Sequence, residues 1–274
     1  MSLVAVLGDV ATTTTLALAA AWPVHTTDDF DHLDHHPGHH PDLLFLELDP
    51  TGGSMAAWLD LPGSPTLSTV VTGAADHDWP TVAALARRSS SGVQVIPAPA
   101  RSVEASRAVA EADRWLTDLF AGLERPTVLA DVGDPSAASG LPPVVRIADV
   151  TIVVHRQARQ SARAAAVRVE RLAETVDMVV SSGSSMVLAV VGDSPFEPEE
   201  ILRFVAGSYD PDSAVAPVVT LADEPLSAAV LAGRTGVSSR RLARLPLMRS
   251  AGSLATTTSV VLDAARALGP RTRR

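Results

Sequence analysis

The sequence predicts a three-layer α/β/α fold built on a mostly parallel, seven-stranded sheet. Seven short runs of mostly Val, Leu and Ile are each closed by Gly, Asp or Pro. Runs that are apolar throughout, rather than alternating, suit strands covered on both faces. Longer stretches with apolar residues at helical spacing lie between them, the alternation that builds a parallel sheet under two helical layers. A chain of 274 residues, 46% hydrophobic, can bury such a core, and residues 1–274 read as one domain with no internal repeat.

The strands fall at Leu3–Leu7, Leu43–Leu48, Val93–Ile96, Thr127–Ala130, Val150–Val154, Met186–Val191 and Ala216–Thr220. The first runs through Gly8-Asp9-Val10-Ala11 and four threonines, Thr12 to Thr15, into an apolar helix at Leu16–Trp22. One of those threonines is expected to cap that helix. Residues 25–42 form a His- and Asp-rich loop insertion. Val103–Leu123 is a long helix, with Val103, Val109, Trp115, Leu116 and Leu119 at helical spacing. Ala158–Val176 is another, and its arginines at 159, 163, 168 and 171 read as a solvated basic face rather than a DNA surface. Residues 207–213 form a turn cluster. A C-terminal helix is expected at Ser253–Leu268, followed by the basic tail Arg271 to Arg274. Its apolar stripe, Leu254, Val261, Leu262, Ala265 and Leu268, is short and lacks Phe or Trp anchors. It reads as packed on the sheet rather than laid on a membrane.

Charge excludes several classes of function. All 22 basic residues are arginine, and the first is Arg87. Residues 1–86 carry 11 acids and no base, so no phosphate clamp can be built in the first third. With no cysteine there is no disulfide, thiolate nucleophile, thiolate zinc site or iron–sulfur cluster. No apolar run reaches about 18 residues, so no transmembrane helix is expected. The first residues lack a basic segment, unlike a signal peptide. A cytoplasmic protein is expected, peripheral at the membrane at most.

Chemistry concentrates at predicted strand ends. Strand, glycine turn, Thr cluster and helix N-terminus follow the order of a P-loop, in which backbone amides, a lysine and a Ser/Thr hold phosphate and magnesium. Only Gly8 and the threonines are present; the lysine is not. Glu47 and Asp49, before Pro50-Thr51-Gly52-Gly53, carry carboxylates at the second strand's end. Asp131 closes the fourth strand, and such ends converge on the ligand crevice of an open α/β sheet. His32, His35, His36, His39 and His40, among Asp29, Asp31, Asp34 and Asp42, suit zinc, nickel or copper by chemistry. A loop with Pro37-Gly38 at its centre fixes no tetrahedral set, and it reads as a solvated insertion.

In this order and spacing the residues resemble the MinD/ParA family of deviant P-loop ATPases. Gly8-Asp-Val-Ala-Thr-Thr-Thr resembles a decayed form of the family's glycine-rich loop. Glu47-Leu-Asp49-Pro-Thr-Gly-Gly is similar to its Asp-x-Asp-Pro-x-Gly segment, and Asp131-Val-Gly to its Walker B strand end. Ile147-Ala-Asp149 and Leu221-Ala-Asp223-Glu-Pro225 extend the match over most of the chain. The likeness is greatest to actinobacterial MinD-like proteins with a Thr-rich first loop, a branch similar to the localisation ATPases of Tad-type pilus systems.

The resemblance implies a P-loop NTPase-like fold and a magnesium-nucleotide site. Thr12 and Asp131 would hold magnesium. Asp49 would orient the attacking water. Gly8, Ala11, Thr12, Thr13, Glu47 and Asp223 would line the nucleotide. Ala11 stands where the P-loop lysine belongs, and Leu7 or Gly8 where the family's second lysine belongs. The resemblance requires no cofactor with the lysines absent: weak Mg-ATP or Mg-ADP binding is left open, and efficient turnover is not expected. A pseudo-ATPase follows: a cytoplasmic positioning or scaffold factor serving a pilus, secretion, chromosome-partitioning or division machine, with a protein partner and a homodimer as one candidate assembly. The alternative is a magnesium-dependent ATPase switch with an unorthodox cation in place of lysine.

Overall fold

The computed structural model describes residues 2–22, 43–73, 79–89, 93–121, 127–134, 140–157, 161–207, 216–231, 234–236 and 238–267. Their strands form one sheet in the order β3-β4-β2-β5-β1-β6-β7-β8. The ranges are β1 Ser2–Gly8, β2 Leu43–Glu47, β3 Arg87–Arg88, β4 Gln94–Ile96, β5 Thr127–Gly133, β6 Val150–Arg156, β7 Ser185–Val191 and β8 Val218–Leu221. All pairs are parallel except β3 with β4. The α/β expectation holds, with eight strands instead of seven. The extra one is the two-residue edge strand β3, whose exposed arginines are too polar to register as an apolar run and which guards the sheet edge with charge.

Alternate residues of each central strand face opposite layers. Leu3, Ala5 and Leu7 join one apolar cluster, whereas Val4 and Val6 join the other. The first cluster is roofed by α5 (Ser102–Ala121), α6 (Pro143–Ile147), α7 (Ala162–Ser181) and α8 (Pro198–Ala206). The second is roofed by α1 (Ala11–Ala21) and by α11 (Pro246–Ala267), which pack on each other. This double cover explains why almost every β1 residue is apolar and buried.

Boundaries differ from expectation in ways that matter for the site. β5 extends to Gly133, so Asp131 lies within the strand instead of beyond it. β6 extends to Arg156 and carries His155 and Arg156 on its end. Helix α1 starts at Ala11, so the threonines occupy its first turns. Helix α11 starts at Pro246, well before Ser253. The His-rich insertion at 25–42, Arg159, most of the 207–213 cluster, Leu268 and the basic tail lie outside the described residues.

β1 sits between β5 and β6, where chain progression reverses, the position at which open α/β sheets form their crevice. Gly8 ends it with φ +121°, and a Cβ there would lie 2.0 Å from the Val154 carbonyl oxygen. Both the backbone angle and the space demand glycine. Gly8→Ala is therefore expected to lower stability by about 3 kcal/mol or more, read as a fall in the urea midpoint. A midpoint unchanged from the parent chain would refute this close approach.

Candidate functional site

Three carboxylates gather around the N-terminus of α1. In the parallel register Glu47 of β2 pairs with Asp131 of β5, and Asp131 with Val6 of β1. Paired residues of parallel strands point to the same face, so the two carboxyl groups lie side by side beneath α1. Glu47 is 1% exposed, and its Oε1 accepts from the Ser54 and Met55 amides at 2.8 and 3.1 Å. Its Oε2 accepts from the Ala98 amide at 2.9 Å. Glu47 thus ties the start of α2 (Met55–Trp58) to the segment after β4. Burial raises its pKa; the three amides oppose that shift, and Asp49 adds to it.

Asp131 is fully buried and less well satisfied. Its Oδ1 accepts from the Gly133 amide at 3.1 Å, and the Thr12 side chain lies near enough to favour the charged carboxylate. Oδ2 has no hydrogen-bond partner among the described residues. Burial, then repulsion from Glu47 and Asp49, pushes the pKa up to about 7 against the pull of Thr12 and Gly133. Asp49 lies against Gly133, where a Cβ would strike its Cγ at 2.5 Å. Its Oδ1 accepts from the amide and hydroxyl of Thr51, at 2.8 and 2.7 Å. The structure therefore brings together Thr12, Glu47, Asp49 and Asp131.

The connection from β1 to α1 is only Asp9-Val10. Val10 is the N-cap residue and makes no side-chain cap. The expected threonine cap is absent because the helix begins ahead of the threonines: the Thr15 hydroxyl donates back to the Ala11 carbonyl at 2.8 Å. Ala11 is buried, and Thr12 and Thr13 are half-buried on the first turn. Asp9 is held from β6 and α7. Its Oδ2 accepts from the Arg156 amide at 3.0 Å, pairs with the Arg168 guanidinium at 2.5 Å and faces His155 Nδ1 at 3.7 Å. Burial lowers the His155 pKa, and Arg168 adds to this while Asp9 opposes it.

Asp223, expected to line the nucleotide from the loop after the last strand, sits past β8 and takes the Arg156 guanidinium in a forked contact of 2.9 to 3.2 Å. That pair borders a cavity of about 860 Å³ at the ends of β6, β7 and β8, also lined by Arg168, Asp193 and Ser250. Gln157 braces its wall, donating to the Gly192 and Phe196 carbonyls and accepting from the Phe196 amide. A smaller cavity of about 230 Å³ lies over Gly8, Asp9 and His155.

Sequence reasoning missed His155, Arg156 and Gln157, and gave Arg168 to a solvated face. The available signal was that polar residues directly follow the apolar run Val150–Val154, as Asp131 follows Thr127–Ala130. Arg168 turns inward to Asp9, and Arg163 and Arg171 remain exposed as expected.

Comparison with solved structures adds the fold's relatives. A ParA family ATPase from Chlorobium tepidum TLS aligns with TM-score 0.64 at 14% identity, over 93% of this chain and 98% of that one. The MinD cell division protein of Aquifex aeolicus aligns with TM-score 0.58 at 11% identity, over 98% and 96%. Cobyrinic acid a,c-diamide synthase from Mycobacterium smegmatis, with bound ATP analog and magnesium, aligns with TM-score 0.54 at 15% identity, over 97% of each chain. This chain has their fold. No protein-family model matches it, and no curated protein does.

The raised Asp131 pKa sets a direction for pH dependence. An ordinary carboxyl titrates at 3.8, and this one at about 7, so the folded state holds its proton more tightly than the unfolded chain. The penalty for burying the charge is absent below the lower value and complete above the higher one. Stability should fall as pH rises through that window, by about 4 kcal/mol for this group. Asp131→Asn keeps the shape and removes the charge. Its stability advantage in urea unfolding should therefore grow between about pH 4 and about pH 8. An advantage that does not change with pH would refute the assignment.

Proposed function

We propose that the chain is a MinD/ParA-like positioning or scaffold factor with a degenerate nucleotide site, acting through a protein interface. The observation that carries this is the short connection between β1 and α1. A P-loop sets four residues between its first glycine and its Gly-Lys pair, so that successive amides curl around phosphate. Here only Asp9, Val10 and Ala11 separate Gly8 from Thr12, and lysine is absent from the chain. The Asp9 carboxylate already holds the nearest cations and amide.

Electrostatics support the same reading. One missing cation at about 4 Å is worth roughly 4 kcal/mol at an effective dielectric near 20. The arginines at this edge are engaged, Arg168 with Asp9 and Arg156 with Asp223. Thr12 and Asp131 do meet, as a magnesium site needs. Both oxygens of Glu47, however, are taken by amides. The residues present do not fit a magnesium nucleotide, and no hydrolytic step is derived for them.

On this reading the partner is a protein of a pilus, secretion, chromosome-partitioning or division system, and the factor works in the cytoplasm, singly or as a homodimer. No described helix is long and apolar enough to cross a membrane. The alternative, a magnesium-dependent ATPase switch using Thr12, Asp49 and Asp131, draws on the unpartnered Asp131 Oδ2 at the helix N-terminus. Calorimetric titration with Mg-ATP and Mg-ADP separates the two. No saturable heat is expected at millimolar nucleotide. Saturable binding that Asp131→Ala abolishes would overturn the degenerate site in favour of the switch.

A further inference from the structure

The strongest unexplained surface is the connection into α11. Residues 234–249 contain Arg234, Arg240, Arg241, Arg244 and Arg249 and not one acid, in a chain of net charge −9. All five arginines are exposed, and none has an ion-pair partner among the described residues. Unlike Arg156 and Arg168, they neutralise no carboxylate among the described residues.

This surface is firmly held. Arg241 and Leu242 amides donate to the Ser238 carbonyl, Arg244 to Arg241, Leu245 to Leu242, and Arg249 to Leu245, at 2.9 to 3.1 Å. Leu247 and Met248 beneath are buried in the core under α1 and α11. The Arg234 guanidinium lies over the Trp58 ring, 5.6 Å from its centroid. Trp58, Leu61 and Leu242 are only partly covered and pack on that same core. The Arg234 guanidinium therefore stands against the partly covered Trp58, and Arg240, Arg241 and Arg244 flank the partly covered Leu242 along an ordered backbone.

We propose that this surface docks an acidic polypeptide segment that carries apolar residues among its carboxylates. The guanidinium fork matches a carboxylate in paired hydrogen bonds, and the Trp58, Leu61 and Leu242 neighbourhood takes apolar side chains. A duplex nucleic acid fits less well. It presents a charge about every 1.7 Å along a rigid rod and offers phosphate rather than apolar groups. Such a rod also meets the repulsion of an acidic body, whereas a short peptide feels mainly charges within a Debye length of about 8 Å. The partner class rests on reading the chain as a protein-binding scaffold, but the surface does not involve the strand-edge carboxylates.

The probe is a fluorescein-labelled peptide of repeated Glu-Glu-Leu units, followed by fluorescence anisotropy on the full chain. Saturable, salt-sensitive binding is expected. The triple variant Arg240→Gln, Arg241→Gln, Arg244→Gln should weaken it about tenfold or more while leaving the thermal midpoint unchanged. Arg163→Gln with Arg171→Gln, on the exposed face of α7, should leave affinity as it was. The proposal is overturned if the peptide does not bind or the triple variant binds it equally. Equal binding of a Gln-Gln-Leu peptide, or tighter binding of a DNA duplex or of phosphatidylglycerol vesicles, overturns it too. Nucleotide binding has its own readout, so peptide docking with nucleotide binding would remove the degenerate-site reading and leave this one standing.

Discussion

The close approach of β1 to β6 at Gly8 governs the functional edge of this protein. β1 is flanked on both sides and covered on both faces, so neither its position nor its direction can adjust. With Gly8 against the Val154 carbonyl, the chain leaves the sheet in the only direction open and enters α1 after two residues. That brings the first turn of α1 over β5 and sets Thr12 on Asp131. It also delivers Asp9 to the end of β6, where the backbone amide of Arg156 and the side chain of Arg168 receive it.

The two buried carboxylates next to that turn show how position divides structural work from an unmet demand. Glu47 and Asp131 are neighbours in register and almost equally buried, yet Glu47 receives three backbone amides and Asp131 one. Three amide donors replace much of the water lost on burial, so Glu47 serves as a brace between α2 and the strand β4 segment. Asp131 keeps a buried oxygen without a donor, and the proton is the cheapest way to neutralise it at that depth. The strained member of the pair is therefore the one at the helix N-terminus, where the positive end of the helix dipole supplies partial compensation.

Fold class was legible because its signal is coarse: strands covered on both faces are apolar along most of their length, and β1, β2, β6 and β7 are. The edge was harder. A charged residue at the end of an apolar run reads as the end of the strand, although Asp131, His155 and Arg156 continue the backbone ladder. Pairing is decided by neighbouring strands, not by the residue itself. The threonine run was read as a prelude to α1 because Thr favours caps and strands, but core contacts of Ala11 and the tight exit from Gly8 start the helix earlier. Glu47, Asp49 and Asp131 were found by their place at strand ends. Their partners, Arg168 among them, came from elements distant in sequence, which spacing alone does not reveal.

The division of charge follows from the same geometry. The first third holds acids and no base, and every arginine lies beyond it, so an acid of the first third finds a guanidinium only where the fold brings the two parts together. The Asp9–Arg168 contact joins the two parts directly, and the Arg156 guanidinium and amide link Asp223 and Asp9 across β6. These contacts use arginines on the β6–α7 side of the edge. On the α11 side the arginines of 234–249 meet no described acid and project from a segment anchored by its own backbone hydrogen bonds. Exposed charge of one sign is tolerated on a solvated surface, but here five arginines follow one another with no described acid to compensate them, and Arg234 stacks on Trp58. A bound acidic segment supplies that missing compensation, and it does so away from the carboxylate cluster, so the two sites answer to different chemistry.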